Sequence, residues 1–194
     1  MEYSSAAVFL FEMFVLSFTG WVLETAQESI VRKKFVSKGF FQGPYVPLHG
    51  IGGVCVYLLC SPLKAYPAAV FFIGMAICTA VEYLVAVFLE KCFKVKCWDY
   101  RTYPHTRRCH FQGRICLTLS LFFGLIALFV VYFYWDFVAN TARHLGTYLW
   151  LIDGVLALGF IADAVYSCGK VLKAKKAGTK IKGWAVFSDE NNVE

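Results

Sequence analysis

From Ile115 to Trp135 the chain runs 21 residues without one charged side chain. About 20 apolar residues suffice to cross the hydrocarbon of a bilayer as a helix, so this run already excludes most soluble architectures. Composition points the same way: 59% of residues are hydrophobic and 16% charged, where a soluble domain has roughly 45–50% and about 25%. Five apolar segments are expected as spans, at about residues 6–26, 47–63, 67–90, 115–137 and 145–166. They predict an all-α integral membrane fold of about five transmembrane helices. Residues 1–169 form one helical unit and 170–194 a basic tail. Met1 to Ser5 lacks a basic leader and no small-residue cleavage site follows, so the first segment is read as a retained helix, not a signal peptide.

Charge orients the spans. Cytoplasmic loops carry the excess of Lys and Arg, and 17 of the 19 basic residues fall in three places. These are residues 32–38, residues 91–114 and the tail from Lys170. Lys64 and Arg143 occupy the two short turns on the other side. Five spans with the N-terminus outside and the C-terminus inside therefore satisfy the rule, and four or six do not. Topology thus accounts for the net charge of +6, with anionic lipid headgroups as neighbours, and no nucleic acid is needed. The eight cysteines are scattered through apolar runs and loops, unlike a secreted disulfide scaffold.

The second segment differs from the rest. Residues 39–63 are uncharged, but Gly39, Gly43, Pro44, Pro47, Gly50, Gly52 and Gly53 crowd its first half. Proline and glycine weaken a helix, so regular helix is expected only from about Leu48. The stretch before it is expected to be irregular. Non-helical backbone near a membrane persists only where protein or water satisfies its polar groups. Residues 39–50 then line a cavity, dip back into the inner leaflet or form a cytoplasmic loop, and Gly50 and Gly53 also permit close helix packing.

Seven of the thirteen acids lie in or beside the spans: Glu12, Glu24, Glu28, Glu82, Glu90, Asp153 and Asp163. A carboxylate inside a bilayer costs several kcal/mol unless paired, protonated or hydrated, and so marks a functional site by default. At about 1.5 Å per residue, Glu12 and Asp153 fall in the outer half. Glu82, Glu24, Asp163 and Glu90 fall toward the inner half. Such acids bind cations or relay protons; the alternative is hydrogen-bonded structural glue, favoured for Glu28 and Glu90. His49 is either a polar cavity group or an interface residue. In the basic loop, Asp99 is expected to pair with Arg101, Arg107, Arg108 or Arg114, and Arg114 also with Glu24 or Glu90. Cys92, Cys97, His105, Cys109 and His110 lack the paired Cys-x-x-Cys spacing of common zinc sites, so no metal or other cofactor is expected. No Walker loop, Gly-x-Ser-x-Gly elbow or His-Glu-x-x-His is present.

The landmarks form a series: Gly20-Trp21-x-x-Glu24, Lys34-Phe35, and Gly39-Phe-x-x-Gly43-Pro44-x-x-Pro47-x-x-Gly50-x-Gly52. Then come Glu82-Tyr83, Glu90-x-x-Phe93, Trp98-Asp99-Tyr100 and Gly113-Arg114-Ile115-Cys116-Leu117. Over residues 12–125 this resembles the bacterial membrane-protein family labelled type IV ABC-transporter permease. His49 departs from it, standing where a tyrosine is expected. The resemblance implies a multi-pass protein of the bacterial cell membrane and a transport role. It also implies a separate ATPase subunit docking on the cytoplasmic loops; a homo-oligomer is the other expected assembly. The polar-site candidates are Trp21, Glu24, Gly43, Pro44, Pro47, His49, Glu82, Glu90, Asp99, Arg114, Asp153 and Asp163.

Three functions fit these residues. The first is a transport or channel component for a small solute or ion, with an acid-lined site toward the cytoplasmic half. The second is an intramembrane enzyme on a lipid or isoprenoid, with Glu24, Glu82, Asp99 and Arg114 at headgroup level. The third is a non-catalytic assembly protein.

Overall fold

The computed structural model describes residues 5–93, 96–102 and 106–176. These form an all-helical bundle: α1 (Ser5–Arg32), α2 (Pro47–Cys60), α3 (Pro67–Phe88), α4 (Leu117–Phe129), α5 (Trp135–Leu145) and α6 (Tyr148–Lys176). A small hairpin, β1 (His110–Phe111) and β2 (Ile115–Cys116), precedes α4, pairing antiparallel with His110 opposite Cys116. Two single π-helical turns extend the regular helices, Leu89–Phe93 after α3 and Val130–Tyr134 between α4 and α5.

Among the described residues, four helical stretches are long and apolar enough to cross a membrane: Ala6–Ile30, Pro67–Phe93, Leu117–Leu145 and Tyr148–Lys173. The second expected span, Pro47–Leu63, is a shorter apolar helix. At 1.5 Å per residue it is roughly 25 Å long, less than the ~30 Å hydrocarbon layer. The other helices outrun their apolar segments. Trp135–Leu145 carries Asp136, Arg143 and His144 yet stays helical until Gly146, because nothing before that glycine interrupts a helix.

Helix starts and stops follow the local sequence. Proline opens both α2 and α3, where its missing N–H is one the helix leaves unused in any case. At the end of α1, Lys33 turns left-handed (φ 53°). Lys34 N–H then bonds Ser29 O at 3.2 Å and Lys33 N–H bonds Ile30 O at 3.3 Å, a paired closure that satisfies the last carbonyls.

From there the Gly/Pro stretch climbs back along α1, its polar groups met one by one. Val36 N–H donates to Ser29 Oγ, Lys38 N–H to Thr25 Oγ1, and Val46 N–H to Ser17 O, at 3.0, 3.1 and 2.9 Å. Ser17 lies near the middle of the apolar part of α1, so the irregular segment reaches mid-depth. This is the protein-satisfied backbone that a low-dielectric setting demands.

From that level α2 runs to the end of the bundle that holds Lys64, called the Lys64 end below; the opposite end is the loop end. Gly50 and Gly53 let α2 lie directly on α1: a Cβ at Gly50 would sit 2.2 Å from Ser17 Oγ, and one at Gly53 2.6 Å from Leu16. Gly74 does the same between α3 and α4, against Ala127. The core runs through Val56, Cys60, Val70, Ala127 and Val131. A second cluster joins Leu16, Val130, Trp135 and Ala139, with Tyr57 stacked on Trp135 at 3.8 Å.

Candidate functional site

Glu24 of α1 and Glu82 of α3 lie within electrostatic reach of one another, with Glu24 beside the start of α2. Glu82 is 3% exposed, and one carboxylate oxygen accepts a 2.6 Å bond from Tyr100 OH. The other, Oε2, is buried with no hydrogen-bond partner. Glu24 lies within electrostatic reach of Glu82, and Tyr100 within reach of both. His49, at the third position of α2, places Nε2 3.5 Å from Glu24 Oε1. Its Nδ1 is buried without a partner. The Glu24 and His49 side chains keep 25% and 28% of their exposure, so the cluster is open at Glu24 and closed at Glu82. Gly20 makes room for the imidazole: a Cβ there would stand 2.3 Å from the His49 ring. The N-terminal turn of α2, whose free N–H groups carry partial positive charge, begins beside this cluster.

Tyr100 reaches Glu82 because the loop before α4 folds on itself. Tyr100 N–H bonds Gly113 O at 2.9 Å and Trp98 Nε1 donates to Arg114 O at 2.8 Å. Asp99 is held between Arg101 and Lys96, each 2.7 Å away. The Arg101 bond, against the cost of burial, and then Lys96 hold the Asp99 carboxyl well below the usual range. A depressed value stabilises the fold above the unfolded value of about 3.9 and is lost only as pH falls through the lower folded value. The loop clamp therefore stays closed across neutral pH. Burial first, then the Glu82 charge, pushes the Tyr100 phenol far up, so Tyr100 remains a donor.

Gly113 is the pivot of this loop. Its φ is +72° and a Cβ would lie 2.3 Å from Asp99 Oδ1. Gly113→Ala is expected to destabilise the protein by about 1–3 kcal/mol through backbone strain and the collision. Thermal unfolding in detergent checks this, and an unchanged midpoint would contradict it.

The remaining candidates are placed apart from this cluster. Arg114 pairs with Glu90 at 2.5 Å, also bonds Gln112, and lies 5.7 Å over the Tyr83 ring. Its guanidinium is thus engaged within the fold. Asp163 of α6 accepts backbone N–H bonds from Gln42 (3.0 Å) and Gly43 (2.6 Å) and one from Ser167 Oγ (2.9 Å), so it anchors the Gly/Pro segment that contains Pro44. Pro47 opens α2. Trp21 Nε1 donates to Ser37 Oγ at 3.1 Å. Asp153 lies toward the Lys64 end of α6.

Of the metal candidates, His105 falls outside the described residues. Among the described residues no three His, Cys, Asp or Glu side chains gather as a ligand set. His110 Nδ1 instead accepts Gly113 N–H at 3.2 Å. Cys97 is buried, and burial pushes its thiol up to about 12. A largely apolar groove between α3 and α4, lined by Met75, Thr79, Tyr83, His110 and Ser120 among others, does not include Glu24, His49 or Glu82. Tyr100 is the site residue that sequence reasoning missed. Its signal is the Trp98-Asp99-Tyr100 run, of which only Asp99 stands among the sequence candidates.

Among the described residues, four helical stretches long and apolar enough to cross a membrane are those of a multi-pass membrane protein. Residues 10–168 match the model of the family described as "Putative ABC-transporter type IV". The chain belongs to that family, and the match together with the apolar helices is that of a membrane transport component. No curated protein and no solved structure matches the chain.

Proposed function

We propose that the protein is a transport component whose Glu24–His49–Glu82 cluster receives a small cationic solute or ion from the cytoplasmic side. The observation that carries this is Glu82: a nearly fully buried carboxylate with one oxygen unpartnered, coupled to a second, more open carboxylate. Two such groups in low dielectric attract a cation strongly, and hydrogen-bonded packing alone would leave no orphaned oxygen. The broken geometry around α2 supports the same reading, since helix ends and irregular backbone inside a bundle are how transporters frame a site.

Positive-inside counting supports five crossings in a bacterial cell membrane with the loop end in the cytoplasm, the N-terminus outside and α2 as a short span. The basic loops there face anionic headgroups and offer docking for a separate ATPase subunit, which the family description supports; five helices form a thin wall, which favours a partner or a second copy. The lipid-enzyme reading loses its anion clamp, because Arg114 is engaged by Glu90 and Gln112.

The test is cysteine modification from the cytoplasmic side. Inverted vesicles from cells producing Glu24→Cys, with the exposed Cys92 and Cys109 replaced by serine, retain whatever partners the protein carries. The variant, lacking the Glu24 carboxylate, is expected to take up rubidium or methylammonium more slowly than its parent, and a negatively charged thiol reagent, which returns a charge at that position, is expected to raise the rate where a positively charged one does not. Equal uptake by variant and parent would remove Glu24 from the route.

A further inference from the structure

The groove between α3 and α4 has no part in the proposed function. Its volume is about 640 Å³. The two helices touch closely at Gly74, where a Cβ would stand 2.3 Å from Ala127. The groove opens at Met75, the next residue, and runs toward the loop end as far as Tyr83 and the β1–β2 hairpin. Met75 to Tyr83 spans roughly 12 Å of helix, most of one leaflet of a ~30 Å hydrocarbon layer. The small, exposed side chains of Ala76 and Ala80 lie along it.

Its polar groups are already satisfied within the protein. The Thr79 and Ser120 hydroxyls bond each other at 2.9 Å, and Thr79 also bonds Met75 O at 2.7 Å. Tyr83 OH donates to Gln112 at 3.2 Å, and His110 Nδ1 accepts Gly113 N–H. Apolar atoms make up most of the remaining wall, so the groove suits a hydrocarbon chain better than a polar solute.

The mouth has the opposite character. Arg107 and Arg108 are exposed and immediately precede Cys109 and His110, which line the groove. The nearby acids are taken: Asp99 is held by Lys96 and Arg101, and Glu90 by Arg114. Among the described residues neither Arg107 nor Arg108 has a partner. Guanidinium groups match phosphate oxygens in both charge and geometry. An apolar slot about one leaflet deep, with two unpaired guanidiniums at its mouth, is complementary to an anionic phospholipid. A second copy of this chain fits less well, because its net charge of +6 brings like charge to the same arginines.

We propose that the α3–α4 groove seats one anionic phospholipid from the leaflet at the loop end, an acyl chain between the helices and the phosphate against Arg107 and Arg108. The site rests on the membrane reading and not on transport, because bound lipid is measured without any uptake assay.

Native mass spectrometry of the full chain, released from micelles holding equal amounts of phosphatidylglycerol and phosphatidylcholine, tests this. The wild type is expected to retain one phosphatidylglycerol in preference to phosphatidylcholine. Replacing both arginines (Arg107→Gln with Arg108→Gln) is expected to lower that preference about tenfold. Ala80→Phe, which fills the groove and leaves the arginines in place, is expected to lower retention of either lipid. Leu158→Phe, at an exposed position of α6, is the control and is expected to bind as wild type. All these positions are exposed, so the variants are expected to fold, and unfolding midpoints in detergent check that. Equal retention of the two lipids by wild type, or a phosphatidylglycerol preference unchanged in the arginine variant, would overturn the proposal. So would retention unchanged by Ala80→Phe, or a wild type that carries no lipid and leaves the micelle as a dimer.

Discussion

Glu82→Gln is expected to lower cation uptake about tenfold or more while the protein still folds. Glutamine keeps the shape of glutamate, and its amide oxygen can still accept the 2.6 Å bond from Tyr100. What disappears is the buried carboxyl's capacity to carry a negative charge, within electrostatic reach of Glu24. A tenfold loss corresponds to about 1.4 kcal/mol, a small part of what a buried charge is worth to a cation in low dielectric. Tyr100→Phe is the milder companion, removing one donor and leaving the carboxylate, so its loss is expected to be smaller. Initial uptake rates in inverted vesicles at matched protein level measure both. Equal rates for Glu82→Gln and wild type would remove Glu82 from the route.

Gly50→Leu is expected to be the most damaging single change in the bundle. The added Cβ falls 2.2 Å from Ser17 Oγ and 2.4 Å from Met13 O, and the second of these is α1 backbone, which cannot rotate aside. Overpacking typically costs 1–3 kcal/mol; here two helices must part, so a loss of about 3 kcal/mol is expected. Parting them also breaks the Val46–Ser17 bond and draws His49 away from Glu24, so uptake falls with stability. Gly154→Leu is the control, because a Cβ at Gly154 meets nothing within 4 Å and its unfolding midpoint is expected to match wild type. Equal midpoints for the two variants would contradict the close α1–α2 contact.

These residues show where sequence reading succeeds and where it stops. Apolar run length marks the helices because lipid imposes it directly on composition. It misses their ends: Trp135–Leu145 and the last turns of α6 are helical but charged, and hydropathy falls while helix propensity does not. The irregular stretch before α2 was legible from Gly39, Gly43, Pro44 and Pro47. That it climbs to the level of Ser17 was not, since this depends on hydroxyls at Ser29 and Thr25 that look ordinary in a helix.

Pairing across long separations was the other barrier. Glu24 and Glu82 stood out as acids within apolar runs, but nothing local distinguishes them from Asp163. Asp163 instead binds backbone 120 residues away. Arg114 had Glu24 and Glu90 as rival partners, and the loop fold chooses Glu90. Tyr100 required the same information: only the Gly113 turn, closing over Asp99, aims its hydroxyl at Glu82.

In the proposed transport route Glu24 and Glu82 act as one site. Groups acting as a unit give non-additive losses when removed together. Initial uptake of rubidium and methylammonium is therefore to be compared among wild type, Glu24→Gln, Glu82→Gln and the double variant, in vesicles of matched protein content. The double variant is expected to transport no worse than the poorer single variant. Losses that multiply, or a double variant as active as wild type, would contradict it.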